Sequence, residues 1–348
     1  MNFKNISENV LKIGFTFSCI VVVALLWVIF TCSKTLSNNS DTDYQKYFNK
    51  NYKIFSLNIP EKLDFAGEEM PLEDMDVRER IDREILVNTY WQSQSLLFHK
   101  RANRWFPIIE PILKANNVPD DFKYLCLVES GLDNVVSPKG ATGFWQFIEE
   151  TGKSYGLEIN DMVDERYHVE KATAAACKYF KEAYKRYGNW TMAAASYNMG
   201  MNGIDKQIER QKQNSYYDLL LNQETARYVF RIVAAKEIIS NSSNYGFYFR
   251  KKDLYPPYET YIVKVDSSIA DFADFALKYE TNYKILKILN PWLRDAMLDN
   301  KTNRVYNIKL PKKGFDQYFY TEIDTLNLPD TTITNLLDTS TIDTNNIK

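Results

Sequence analysis

From residue 76 to about residue 240, hydrophobic residues recur at helical spacing. Val77, Ile81 and Ile85 share one face of the first such run, with acidic and basic residues between them, which is typical of an amphipathic helix. Across residues 118–240 the alternation that marks a half-buried strand is missing. The pattern therefore predicts a mainly α protein whose largest part is a compact helical domain, which we place at residues 76–245.

The pattern changes after Gly246. The segments YETYIVKV at 258–265 and VYNIKLP at 305–311 alternate like strands, and two short helical runs lie between them. This order predicts a small α+β unit with a βααβ arrangement at residues 255–312. Residues 313–348 are rich in Thr, Asn and Asp with little apolar periodicity, so we expect a disordered tail.

An uncharged apolar run of eighteen residues, Ile13 to Phe30, lies near the N-terminus. As a helix it would be about 27 Å long, close to the thickness of a bilayer core. The run exceeds a usual signal-peptide core and no small-residue cleavage site follows it, so we predict an uncleaved transmembrane signal anchor at 13–31. Lys4 and Lys12 precede the run, which favours residues 1–12 as a cytoplasmic stub. The folded part would then lie in the periplasm.

Residues 32–75 are polar and unperiodic and predict a linker between the membrane and the domain. Cys32 stands where a lipoprotein carries its acylated cysteine, but the preceding residues are bulky for such a cleavage site, so lipidation is the less favoured alternative. Cys126 and Cys177 fall in apolar helical contexts. Outside the cytoplasm they could form a disulfide, although two buried free thiols fit these contexts better.

The composition argues against nucleic-acid binding and against metal binding. The chain has 348 residues with 43 Lys and Arg against 45 Asp and Glu, a formal net charge of -2. It therefore has no global basic field, and no local basic patch stands out, so we expect no nucleic-acid partner. The two histidines and four cysteines show no paired ligand spacing, so we expect no metal site.

One carboxylate stands out in the helical domain. In the helix predicted over residues 119–130, Phe122, Leu125 and Cys126 share a face, and Glu129 follows at the next step of that face. A carboxylic acid in apolar surroundings keeps its proton above its ordinary pKa, as a general acid near neutral pH must. From this helix alone, a helix-terminal glutamate reaching solvent is the favoured alternative.

The sequence after the helix favours the catalytic interpretation of Glu129 over a glutamate that reaches solvent. The segment SPKGATGFWQ at 137–146 is a turn punctuated by glycines, and it leads Trp145 and Gln146 back toward Glu129. A pair of glycines alone would indicate only a turn. The longer segment ESGLDNVVSPKGATGFWQF, however, resembles the signature of the family 1 lytic transglycosylases, lysozyme-like enzymes that cleave murein, in their membrane-bound type D form.

Further motifs extend the resemblance to about residues 76–240. AASYNMG at 194–200 resembles the family's Ala-Tyr-Asn motif, ETARYVFRIVAAKEI at 224–238 resembles its closing helix, and the lead-in RWFPIIEPILKANNVPDDFKYLCLVESG has the type D pattern. Four motifs in order are far more specific than one. Residues 255–312 resemble LysM-type modules, with Val265-Asp266-Ser267 departing from their usual Gly-Asp-Ser/Thr. Glycan binding by this unit is slightly favoured over a packing role, in which Trp292 and Tyr261 would form its small core.

The resemblance implies a lysozyme-like catalytic domain acting on peptidoglycan glycan strands. Glu129 would be the single catalytic acid/base, and Ser130 would help to hold the helix end. The residues implied to bind substrate are Ser137, Gln146, Tyr197, Asn198 and Tyr228. Aromatic side chains at 144, 145, 197 and 228 are suited to stacking on sugars, but core packing explains them equally.

The implied reaction cleaves the β-1,4 bond between N-acetylmuramic acid and N-acetylglucosamine and forms 1,6-anhydromuramic acid. Most glycosidases use two carboxylates, whereas only Glu129 is well placed here; we assign no catalytic role to Asp133, Glu149 or Glu150. The implied mechanism needs no cofactor and no metal. Two alternatives stay open: a hydrolytic muramidase, and a non-catalytic peptidoglycan-binding protein.

Overall fold

The computed structural model describes residues 46, 49, 50 and 53–315. The predicted cytoplasmic stub, the signal anchor at 13–31 and residues 316–348 of the predicted tail lie outside the described residues. In the described part of the chain, no helix combines the length and the hydrophobicity of a membrane span. All elements below belong to the compact unit that begins at Leu57.

The helical domain is built almost entirely from α-helices, as the periodicity predicts. In chain order they are α1 (Met75–Tyr90), α2 (Gln92–Ala115), α3 (Phe122–Ser130), α4 (Glu149–Ser154), α5 (Val169–Tyr187), α6 (Trp190–Met199), α7 (Met201–Gln211) and α8 (Gln223–Ser240).

Local sequence signals explain where these helices begin and end. Asp74 caps α1, because its carboxylate accepts hydrogen bonds from the backbone N–H groups of Asp76 and Val77. Helix α5 ends at Gly188, whose φ of 74° is the left-handed conformation that glycine adopts without strain. Ile81 and Ile85 are buried, so the apolar face read from the sequence is the face that packs into the core.

The N-terminal boundary of the domain differs from the prediction. Residues 57–72, assigned to the linker, pack against the domain through the buried Leu63, Phe65, Met70 and Leu72. They include two short antiparallel strands, β1 (Asp64–Phe65) and β2 (Glu68–Glu69). The helical domain therefore includes residues 57–72, which the prediction placed in the linker. A hairpin this short presents no periodic pattern, so its apolar residues gave no sign of burial.

The C-terminal unit has the predicted βααβ order: β3 (Thr260–Val265), α9 (Phe272–Lys278), α10 (Tyr283–Leu289) and β4 (Tyr306–Pro311). The two strands pair antiparallel, with Thr260 opposite Pro311 and Val265 opposite Tyr306. Trp292 is buried in the core of this unit, whereas Tyr261 is 41% exposed. Tyr261 therefore does not contribute to the core.

The thiols of Cys126 and Cys177 are both buried and free. This confirms the interpretation of the two residues as small hydrophobic side chains rather than a disulfide.

Candidate active site

Glu129 lies in the last turn of α3, the helix whose apolar face points into the core. Phe122, Leu125 and Cys126 are fully buried, and Glu129 is partly buried. The helix ends at Gly131, which has a φ of 63°. Ser130 closes this end, because its hydroxyl donates to the Cys126 carbonyl (3.2 Å) and accepts from the Leu132 N–H (3.1 Å).

The surroundings of Glu129 favour its protonated form. Desolvation by the protein is the largest influence and raises the pKa of Glu129 from 4.5 to about 7. A hydrogen bond from Tyr228 and the positive charge of Arg231 lower the pKa, and the negative charge of Glu224 raises it. Desolvation prevails, so near neutral pH this carboxyl can both give and take a proton.

Tyr228 joins α8 to the end of α3. Its ring is buried, and its hydroxyl donates a hydrogen bond to Glu129 Oε1. The neighbouring Arg227 fixes this stretch of α8 against α1, because its guanidinium donates to both carboxylate oxygens of the buried Glu84 (2.7 and 3.1 Å). Tyr228 is thus a core aromatic whose hydroxyl contacts Glu129, and its role in substrate binding stays a prediction.

The loop that follows α3 carries Ser137 and Gln146. Ser137 closes a turn, since its N–H donates to the Ala141 carbonyl (2.8 Å) and its hydroxyl accepts from the Ala141 N–H (3.0 Å). The Gln146 amide donates to the carbonyls of Val135 (3.0 Å) and Gly143 (2.8 Å). Gln146 has a φ of 49°, which few residues other than glycine adopt. The loop is therefore compact and internally bonded.

Tyr197 and Asn198 lie at the C-terminal end of α6. The Tyr197 hydroxyl donates to the Trp145 carbonyl (2.7 Å). Burial raises the pKa of Tyr197 well above its ordinary value, and the negative charge of Glu129 adds to this increase. Asn198 bonds to the start of α8, donating to Glu224 (3.2 Å) and accepting from the Thr225 hydroxyl (2.7 Å). Asn198 therefore connects the end of α6 to the helix that carries Tyr228, and Tyr197 connects it to the loop that carries Gln146.

Two of the aromatic side chains suggested for sugar stacking pack in the core instead. Phe144 and Trp145 are 1% and 0% exposed, and the Trp145 indole N–H donates to the Thr173 hydroxyl (2.9 Å) inside the domain. The structure therefore favours the core-packing alternative for both. A sequence pattern shows that an aromatic residue is buried but not whether a ligand or the protein covers it.

Sequence reasoning overlooked the two charged residues of α8 that act on Glu129. Glu224 lies four residues before Tyr228 and Arg231 three residues after it, so all three share one helical face. This spacing could have indicated from the sequence that Glu224 and Arg231 lie on the same face of the helix as Tyr228. Of the carboxylates given no role, Asp133 pairs with Arg101 (2.8 Å) and Glu149 with Lys153 (2.6 Å). No group of three or more metal-ligating side chains occurs in the described part of the chain.

Comparison with known proteins identifies both folded parts. Residues 106–220 match the transglycosylase SLT domain. Residues 261–314 match the soluble lytic transglycosylase C-terminal LysM-like domain.

Curated relatives agree with these matches. The membrane-bound lytic murein transglycosylases D of Escherichia coli strains K12 and O6:H1 (CFT073) are each 31% identical over 191 residues, which is 52% of this chain and 41% of the relative. An Alteromonas protein whose name refers to tributyltin chloride resistance is 28% identical over 129 residues, 36% of this chain and 62% of the relative. This chain thus spans about two fifths of the length of the E. coli relatives. The comparisons confirm the resemblance read from the motifs: the chain carries a transglycosylase SLT domain followed by a LysM-like domain of the soluble lytic transglycosylase type.

Proposed function

We propose that this protein is a peptidoglycan lytic transglycosylase with Glu129 as its single acid/base. The observation that carries the proposal is a carboxyl with a pKa of about 7, bonded to Tyr228 and placed at the end of a buried helix within an SLT domain. A group with this pKa is protonated and ionised in comparable amounts near neutral pH. One residue can therefore serve in both halves of a reaction that begins with proton donation and ends with proton removal.

The proposed reaction proceeds in two proton transfers. Glu129 protonates the oxygen of the β-1,4 bond between N-acetylmuramic acid and N-acetylglucosamine, and the C1–O bond breaks. The muramyl N-acetyl group stabilises the cation that develops at C1. The C6 hydroxyl then attacks C1 and gives its proton to the ionised Glu129, which forms the 1,6-anhydro ring and returns the carboxyl to its starting state.

The residues around Glu129 have supporting roles in this proposal. Tyr228 orients the carboxyl and stabilises its ionised form through the hydroxyl bond. Ser137, Gln146, Tyr197 and Asn198 would contact the sugars. The hydrolytic alternative would use water in place of the C6 hydroxyl at the same carboxyl. The non-catalytic alternative would leave the raised pKa of Glu129 without a purpose.

We also propose that the protein is held in the cell envelope by a transmembrane anchor at residues 13–31, with the SLT domain in the periplasm. The support is the apolar run in the sequence and the description of the E. coli relatives as membrane-bound. Peptidoglycan lies outside the cytoplasm, so the proposed substrate requires this side of the membrane.

Mass spectrometry of the products tests the reaction. The 348-residue chain in detergent is incubated with isolated peptidoglycan, and Glu129→Gln and Glu149→Gln are treated in parallel. The second variant is the matched control, because it makes the same carboxylate-to-amide change at an exposed residue paired with Lys153. We expect anhydromuramyl ends from the parent and from Glu149→Gln, and none from Glu129→Gln.

The other outcomes separate the alternatives. Reducing ends in place of anhydro ends would identify a muramidase. If the parent releases nothing while Glu129→Gln and the parent bind peptidoglycan equally, the protein is a binding protein. Full activity in Glu129→Gln would refute the assignment of the acid/base.

A further inference from the structure

The C-terminal unit is docked onto the SLT domain through backbone bonds. The Asp164 N–H donates to the Trp292 carbonyl (2.9 Å), and the Arg294 N–H donates to the Met162 carbonyl (2.7 Å). Val163 and Leu293 pair between them as an antiparallel bridge. Val163 is buried in the same cluster as the core of the C-terminal unit. The two parts therefore share a core at this point rather than being joined by a free tether.

Three carboxylates of the SLT domain face cationic or hydroxyl groups of the C-terminal unit. Arg304 binds Glu158 (2.6 Å) and the buried Glu165 (3.2 Å), and the Tyr306 hydroxyl donates to Glu158 (3.0 Å). Lys309 pairs with Glu170. Burial works against ionisation of Glu170, but its contacts with His168 and Lys309 outweigh burial and lower its pKa to about 2. The docked arrangement is thus electrostatically complementary.

Asp164 connects this interface to Arg166. Its backbone N–H is held by the C-terminal unit, and its carboxylate accepts three side-chain contacts from the Arg166 guanidinium, at 2.7, 2.9 and 3.2 Å. Both side chains are about nine-tenths buried. This planar two-oxygen pairing fixes the direction of the guanidinium.

Arg166 in turn holds the loop that carries Ser137 and Gln146. Its Nη1 donates to the carbonyls of Gly140 (3.2 Å) and Phe147 (3.4 Å), one inside the loop and one directly after Gln146. A Cβ atom added to Gly143 would lie only 2.0 Å from the carbonyl oxygen of Arg166. The loop therefore rests directly on the backbone and side chain of Arg166.

We propose that Asp164 and Arg166 are positioning residues through which the docked C-terminal unit holds the loop of residues 137–146. In this arrangement the LysM-like unit is part of the framework of the candidate active site. The expected effect of Asp164 and Arg166 on substrate binding rests on the proposed function, whereas their expected effect on the order of the loop does not.

Hydrogen exchange of the free protein tests the coupling without requiring activity. Arg166→Met removes the guanidinium, and Arg304→Met weakens the interface from the C-terminal unit. The amides of residues 137–146 should exchange at least about tenfold faster in Arg166→Met, as expected for loss of a charge-assisted hydrogen bond. They should exchange about two- to fivefold faster in Arg304→Met, because Arg304 is partly exposed.

Arg186→Met is the matched control, because it removes an arginine–aspartate pair with Asp205 between α5 and α7. We expect parent rates in the loop for this variant, and parent rates in α3 and α6 for all three. Loop exchange at the parent rate in Arg304→Met would overturn the proposal, as would acceleration spread over every helix. If Arg166→Met does not fold, Arg304→Met decides alone.

Kinetics with soluble glycan strands provide the second readout. We expect Arg166→Met to raise KM about tenfold with kcat and the pH profile near those of the parent, since Glu129 and Tyr228 are untouched. An equal fall in kcat with an unchanged KM would contradict a positioning role in binding. If the parent itself has no lytic activity, the proposed function fails, while the exchange experiment still decides the coupling.

Discussion

Replacing Tyr228 with phenylalanine should raise the pKa of Glu129 further. Tyr228→Phe keeps the buried ring and removes only the hydroxyl that donates to Glu129 Oε1. That hydrogen bond stabilises the ionised carboxylate and lowers its pKa. Without it, desolvation acts with less opposition, and the carboxyl keeps its proton to higher pH.

The magnitude follows from the energy of such a bond. A hydrogen bond to a charged group contributes about 1.5–3 kcal/mol, and one pKa unit corresponds to 1.36 kcal/mol, so the pKa of Glu129 should rise by about one to two units. At neutral pH the variant would then hold Glu129 almost fully protonated. In the proposed reaction, proton donation would remain possible while recovery of the proton from the C6 hydroxyl would slow.

The assay is a carbon-13 NMR titration of the glutamate carboxyls, with Glu129→Gln used to assign the signal. Tyr197→Phe is the matched control, because its hydroxyl donates to the Trp145 carbonyl rather than to Glu129. We expect the Glu129 titration to move upward in Tyr228→Phe and to stay near the parent value in Tyr197→Phe. In the pH profile of kcat/KM, the decline at high pH should shift to higher pH as well.

Two results would refute this reasoning. An unchanged pKa in Tyr228→Phe would mean that the hydroxyl does not stabilise the carboxylate. A lower pKa would mean that the bond favours the protonated carboxyl, with Tyr228 as the acceptor.

Three further predictions concern the same region. Because the folded state raises the pKa of Glu129 from 4.5 to about 7, ionisation over that window should destabilise the protein by up to about 3 kcal/mol. Glu129→Gln should therefore be more stable than the parent in denaturant unfolding at pH 8, and this gain should shrink as the pH falls from about 7 to 4.5 and be absent below 4.5; a gain independent of pH would contradict this. Glu224→Gln removes a negative charge that raises the pKa of Glu129, so the NMR titration should move downward, and an upward change would contradict the assigned sign. Gly143→Ala should lower the unfolding free energy by more than about 2 kcal/mol, because φ is +77° and the new Cβ would meet the Arg166 carbonyl. Gly140→Ala is the control, since Gly140 has a similar φ but open space around the new Cβ. Equal losses of unfolding free energy in the two variants would show that the contact with Arg166 is unimportant.

The sequence determined much of the architecture because helical periodicity reports burial directly. The apolar face of α3 predicted a buried helix with Glu129 at its end, and the structure has that helix and a raised pKa for that carboxyl. The alternation at 258–265 and 305–311 predicted the two strands of the C-terminal unit. Ordered motifs predicted the family resemblance that the domain matches confirm.

Only the tertiary structure decided what covers each buried face. The hydroxyl of Tyr228 meets Glu129 across 99 residues of sequence, and Phe144 and Trp145 face the core rather than the site. Residues 57–72 complete the domain, and Asp164 and Arg166 connect the C-terminal unit to the loop of residues 137–146. Periodicity shows which side of an element is apolar, but contacts between distant segments depend on how the elements pack, which a local pattern does not contain.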